Sequence, residues 1–99
     1  MPVMVHSKPG CPYCVRAKEL LDGSGIPYEE VLYDPDAPDY ADRRDRLIGA
    51  TGHRTFPQIF VGERFIGGYT ELEHLYSTQH LHDLCAKELG ITIERTYDF

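Results

Sequence analysis

Val3-Met4-Val5 is a short apolar, β-branched run that ends at Lys8-Pro9-Gly10, the pattern of a buried strand entering a loop. Pro12 then stands where a first helical residue stands, a position at which its missing N–H costs nothing. From there Cys14, Ala17, Leu20 and Leu21 recur at helical spacing while Arg16, Lys18, Glu19 and Asp22 fall elsewhere, which predicts a helix to about Asp22, stopped by Gly23-Ser24-Gly25. Tyr28-Glu29-Glu30-Val31-Leu32-Tyr33 has the aromatic and β-branched content of a second strand. After the turn-rich Asp34-Pro35-Asp36-Ala37-Pro38 comes a charged helix with Tyr40, Leu47 and Ile48 on its inner face, expected to stop before Gly49. Gln58-Ile59-Phe60-Val61 and Arg64-Phe65-Ile66, separated by Gly62-Glu63, read as a tight hairpin. Leu72, Leu75 and Tyr76, then Leu81, Leu84, Cys85 and Leu89, mark two more helices with a break near Ser77 or Thr78.

Strand-helix-strand-helix followed by a hairpin and terminal helices is an α/β arrangement: a small mixed sheet with helices on both faces. A right-handed crossover between the first two strands leaves the Cys11 loop at one end of the sheet, where active sites of open α/β sheets favour lying. With 99 residues, 41% of them hydrophobic, the chain has enough for one core and too few for two. A single domain over residues 1–89 is expected, with a tail over 90–99 whose Ile91/Ile93 alternation is too short to assign.

The formal charge of -6 opposes a general affinity for nucleic acid or anionic membranes, both of which need a basic surface. No apolar run approaches the ~20 residues of a membrane span, and the N-terminus is too short and uncharged for a secretory signal. A cytoplasmic monomer is the expectation. Three cysteines, two of them only three positions apart, do not make a stapling framework. The pair is chemical: a redox couple or half of a metal site.

Its context favours redox. Ser7-Lys8-Pro9-Gly10-Cys11-Pro12-Tyr13-Cys14 follows a strand and opens a helix. A thiolate at Cys11 would face the unpaired N–H groups of the first helical turn and the positive end of the helix dipole, near Lys8. Both lower its pKa and make it the attacking sulfur. Cys14, one turn on and deeper, is expected to be the resolving thiol. A zinc site would need two further ligands, and although His6, His53, His74, His80 and His82 are present, their spacing fits no common structural pattern. No metal is expected, and the histidines read as solvated surface residues. Cys85, in phase with Leu81, Leu84 and Leu89, reads as a small buried hydrophobe.

Cys11-Pro12-Tyr13-Cys14, preceded by Ser7-Lys8-Pro9, resembles the active-site loop of the dithiol glutaredoxins. Two later segments resemble the same family: Thr51-Gly52-His53-Arg54-Thr55-Phe56-Pro57-Gln58-Ile59-Phe60 and Ile66-Gly67-Gly68-Tyr69-Thr70-Glu71-Leu72. The resemblance runs from about Val3 to Leu89 and implies a thioredoxin-like fold with a four-stranded mixed sheet flanked by helices. It implies glutathione as co-substrate, no tightly bound cofactor, and reduction of glutathionylated proteins and of protein or small-molecule disulfides. Pro57 would be cis and face the Cys11 sulfur. Phe56, where the family usually has valine, would offer its backbone to the cysteinyl unit of glutathione beside Thr55. Gly68, Tyr69, Thr70 and Glu71 would receive the γ-glutamyl end, with Thr70 capping the following helix. The family often has acids at both of the last two positions, so a ligand ammonium would rely on Glu71. Lys8 and Arg44 would hold the glycine carboxylate, with Arg54 a further candidate, and Tyr13 would pack beside the substrate.

Two alternatives stay open. One is a glutaredoxin-like protein recharged by a thioredoxin reductase. The other is an iron–sulfur carrier in which Cys11 from two subunits and two glutathiones hold a cluster. Pro12 resembles the members that hold none.

Overall fold

Val3, Val5 and Ser7 alternate with Met4 and His6 along β1 (Val3–Ser7), the first three fully buried and the other two half-buried, so this strand serves a core on each face. The computed structural model describes residues 2–90. Residues 91–99, and with them the Ile91/Ile93 alternation, lie outside the described residues.

α1 (Pro12–Gly23) buries Cys14, Ala17 and Leu21, and it stops where the Ser24 N–H turns back to the Leu20 and Leu21 carbonyls. β2 (Tyr28–Leu32) pairs parallel with β1, from Val3 opposite Tyr28 to Ser7 opposite Leu32. A parallel pair needs a long crossover, which α1 supplies. Tyr33 lies just past the strand but still donates its N–H to the Ser7 carbonyl at 2.8 Å.

α2 (Tyr40–Thr51) runs through Gly49 rather than stopping before it. Gly49 is exposed with open space where a Cβ would stand, so it costs the helix only backbone entropy. The stop comes at Gly52, whose φ of 74° is the left-handed geometry a helix end needs and whose N–H closes on the Ile48 carbonyl at 2.7 Å.

β3 (Gln58–Val61) runs antiparallel to β1 and to β4 (Arg64–Gly67), giving the sheet order β2-β1-β3-β4. α3 (Tyr69–Ser77) and α4 (Leu81–Leu89) are separated by Thr78, Gln79 and His80, close to the expected break. One core joins Val3, Val5, Ile59 and Val61 to Ala17, Leu21, Leu72, Leu81 and Cys85, so α1, α3 and α4 cover that face. On the other face α2 brings Leu47 against Tyr33 and Phe56, with Val31, Tyr40 and Phe60 alongside. The four-stranded mixed sheet flanked by helices is as expected, and no described helix is long and apolar enough to cross a membrane.

Three histidines depart from the solvated reading: His53 is half-buried on the loop before β3, and two others are tied into the fold. His82 is buried on α4 with Nε2 3.0 Å from the Ser24 carbonyl oxygen, tying the last helix to the end of α1. His6 is half-buried because β1 is central and has no solvent face; its ring lies between Tyr33 and Phe60.

Candidate active site at the Cys11 loop

Cys11 is the cap residue of α1, with an extended backbone, and its Sγ accepts the Cys14 N–H at 3.3 Å. The two cysteines are joined as a disulfide with Cα atoms 5.3 Å apart. Cys11 is 8% exposed and Cys14 2%, so Cys11 is the sulfur nearer the rim. Cys85 stands apart in the main core, where burial pushes its thiol up to about 11.

Facing Cys11 is the entry to β3. The Phe56–Pro57 bond is cis, and the Phe56 carbonyl oxygen lies 3.7 Å from the Cys11 Sγ. Gln58 anchors this loop from behind: its buried amide donates to the His53 carbonyl and accepts from the Thr51 hydroxyl at 2.8 Å. Tyr33 packs on the Phe56 ring at 5.3 Å, the Arg43 guanidinium lies 4.5 Å above Tyr33, and the Tyr33 hydroxyl meets His6 Nδ1 at 2.8 Å. Burial together with the Arg43 charge holds His6 below the usual imidazole range, and burial raises the Tyr33 phenol despite Arg43.

Two hollows flank Cys11. On the β3–β4 side a groove of about 380 Å³ is lined by Tyr13, His53, Thr55, Phe56, Pro57, Gly68, Tyr69, Thr70 and Glu71. Tyr13 and Tyr69 face each other across it with centroids 5.9 Å apart. On the β2 side a cleft of about 440 Å³ is bounded by Lys8 to Pro12, Cys14, Val15, Lys18, Glu30 and Leu32. In that cleft Lys18 and Ser7 both hydrogen-bond Glu30, which holds its carboxyl below the usual range.

A helix-capping cysteine pair, a cis proline opposite it and an adjoining groove are the geometry of a thiol–disulfide exchange site. The glutaredoxin family model matches residues 3–66 of the chain. This chain belongs to the glutaredoxin family. It is 39% identical over 70 residues to glutaredoxin 3 of Escherichia coli, covering 71% of this chain and 80% of that protein. It is 36% identical over 74 residues to a glutaredoxin of Pseudomonas aeruginosa, covering 75% and 83%. The hybrid peroxiredoxin hyPrx5 of Haemophilus influenzae is 36% identical over 75 residues, 76% of this chain, which spans only 29% of that longer protein. Among solved structures, the buckwheat glutaredoxin–glutathione complex superposes with a TM-score of 0.82 at 30% identity, covering 92% of this chain and 82% of that one. The holo form of glutaredoxin C1 from poplar (Populus tremula x tremuloides) gives 0.83 at 30%, covering 93% and 82%. The fold is thioredoxin-like, and the family's activity is thiol–disulfide oxidoreduction.

Of the residues the glutaredoxin resemblance singles out, the groove brings together Tyr13, Thr55, Phe56, Pro57, Gly68, Tyr69, Thr70 and Glu71. Lys8 stands at the edge, its Nζ 5.7 Å from the Phe56 ring centroid. Arg44 is not among the lining residues; it projects from α2 and pairs with Asp45 at 3.3 Å. Arg54 is exposed on the loop before Thr55. Thr70 does not cap α3, because that helix begins at Tyr69, two residues before the start a Thr70 cap would give. Gly68 is the cap residue, and the Glu71 carboxylate accepts its N–H at 2.7 Å. His53, to which the sequence assigns no role, also belongs here: its Nε2 lies 3.0 Å from the Thr55 hydroxyl and its ring packs on Phe65, so it forms part of the groove wall. Its position right after Gly52, inside the Thr51-to-Phe60 segment, was the available signal.

Proposed function

We propose that this glutaredoxin uses glutathione to reduce protein–glutathione mixed disulfides and protein or small-molecule disulfides, with Cys11 as the attacking sulfur. The observation that carries the reading is the groove beside Cys11, in which Tyr13, Thr55 to Pro57 and Gly68 to Glu71 meet from three separate segments. Its likeness to a glutaredoxin whose structure was solved as a glutathione complex adds to it.

In the reduced protein the Cys11 thiolate faces the N–H groups at the start of α1, which favour negative charge. It attacks the glutathione sulfur of the mixed disulfide. A Cys11–glutathione bond forms, the glutathione–client bond breaks, and the client leaves as a thiolate that takes a proton from water. A second glutathione thiolate then attacks the Cys11-bound glutathione, releasing glutathione disulfide and restoring Cys11. With a protein disulfide the intermediate joins Cys11 to the client, and Cys14 attacks Cys11 to release the client and close the internal disulfide. Phe56 offers its backbone to the cysteinyl unit as an added strand would. Gly68 to Glu71 take the γ-glutamyl end, and Lys8 takes the glycine carboxylate, with Arg44 or Arg54 as an outer cation. Glutathione is consumed as co-substrate, and neither route uses a bound cofactor.

The test is NADPH oxidation in a coupled system containing the mixed disulfide of glutathione and 2-mercaptoethanol. Turnover with glutathione and glutathione reductase, and none with thioredoxin reductase alone, is the expected result. The reverse pattern would overturn the reading in favour of a redoxin recharged by thioredoxin reductase.

A further inference from the structure

Lys8 and Phe56 belong to different walls of the site. Lys8 sits on the loop that bounds the β2-side cleft, and Phe56 lines the groove on the β3–β4 side. The Lys8 ammonium nevertheless lies 5.7 Å from the centre of the Phe56 ring. Lys8 is exposed and, among the described residues, makes no ion pair or side-chain hydrogen bond, so this ring is the contact that fixes where its charge stands. The Glu30 carboxylate in the cleft, the group that would compete for that charge, is taken by Lys18 at 2.8 Å. The ring itself is held from behind. Phe56 is buried, the Tyr33 ring packs on it at 5.3 Å, and Tyr33 is fixed in turn by Arg43 above it and by His6 at its hydroxyl. Valine, the residue the glutaredoxin resemblance sets at this position, has no aromatic face to offer a cation.

We propose that the Phe56 side chain is a positioning residue that holds the Lys8 ammonium at the edge of the groove and so makes the site select a free glycine carboxylate on its thiol ligand. The inference rests on the glutathione reading above and deepens it: the Phe56 backbone meets the cysteinyl unit, and its ring acts through Lys8 on the residue after it. Consecutive Cα atoms stand about 3.8 Å apart, so a cation held against the ring of the residue that pairs with the cysteinyl unit is within reach of the glycine that follows. A lysine side chain free in solvent gives up rotamer freedom when a ligand orders it. One already held on a ring has less to give up, and the carboxylate it pairs with binds more tightly for that reason.

The test compares two small mixed disulfides with 2-mercaptoethanol, one of glutathione and one of glutathione whose glycine carboxylate is an ethyl ester. Quenched-flow mass spectrometry of the reduced Cys14→Ser protein reads the second-order rate at which Cys11 takes up each glutathionyl group as 2-mercaptoethanol leaves. Glutathione should be taken up faster than its ester by about tenfold, the lower end for a charged hydrogen bond. Adding Phe56→Leu should cut that ratio about two- to fivefold, the scale of an exposed cation–aromatic contact, and Phe56→Tyr, which keeps the ring, should preserve it. Lys8→Gln should cut the ratio at least as far, and Phe56→Leu should change nothing further in the Lys8→Gln protein. A Phe56→Leu variant slowed equally on both substrates, with its ratio intact, has lost only structure and would overturn the proposal. So would a ratio near one before either substitution, or a ratio that survives Lys8→Gln. Failure of Cys11 to take up glutathione from either disulfide would instead sink the glutathione reading, and this inference with it.

Discussion

Cys11 caps α1 with its sulfur beside the Phe56 carbonyl, and Cys14 lies one turn on and deeper. Cys11→Ser removes the attacking sulfur and should abolish reduction of every substrate in the coupled assay. Cys14→Ser removes only the internal resolving thiol, so it should spare glutathionylated substrates and impair protein disulfides. Equal loss in both variants on both substrate types would contradict the roles. His6 makes a different prediction. Its folded-state pKa lies below the ordinary value of 6.5, so the unfolded chain takes up the proton first. The stability that neutral His6 contributes is therefore complete above about pH 6.5 and is lost as pH falls through that value toward the depressed folded pKa. In urea unfolding at a series of pH values, the advantage of the unmodified protein over His6→Gln should shrink below pH 6.5. An advantage that stays constant from pH 7.5 to 5 would contradict it.

At the scale of elements, hydrophobic spacing carried most boundaries, and the misplacements share one cause. Gly49 and Thr70 look like a stop and a cap by residue type, yet the signals that act are Gly52, with its left-handed φ, and Glu71, which reaches back to Gly68. Which of two adjacent candidates is used depends on where the flanking apolar residues must face, and residue type alone does not say. The solvated reading fails at His6, His53 and His82 for a similar reason: a histidine's burial depends on what packs over it. The α3 cap makes a prediction that separates its parts. Glu71→Ala should cost about 1 kcal/mol for the lost hydrogen bond. Gly67→Ala should cost more, about 1–3 kcal/mol. Its backbone sits at a φ of 115°, and an added Cβ would clash with the Glu71 carboxylate and displace the cap. Urea unfolding of the two variants measures both, and a neutral Gly67→Ala would contradict the geometry.

At the scale of the molecule, the redox pair was legible directly, because strand, loop, helix cap and second cysteine are contiguous in the chain. The groove was not: residue 13, residues 55–57 and residues 68–71 come from α1, the loop before β3 and the start of α3. Only resemblance brought them together, and it gave no role to His53, whose ring is part of the groove wall. The two cores also divide the thiols. Cys85, buried in the main core with its pKa pushed up to about 11, should resist iodoacetamide at pH 8 in the reduced native protein. Mass spectrometry should find Cys11 modified first and Cys85 only after denaturation; early modification of Cys85 would contradict that core. The central claim, that glutathione lies in the groove with its sulfur on Cys11, is tested most directly by NMR of the Cys14→Ser protein treated with glutathione disulfide. A single glutathione adduct on Cys11 is predicted, with the largest amide shift changes at Tyr13, Thr55, Phe56 and Gly68 to Glu71. Absence of an adduct, or shifts that bypass those residues and follow Val15, Lys18 and Leu32 instead, would contradict it.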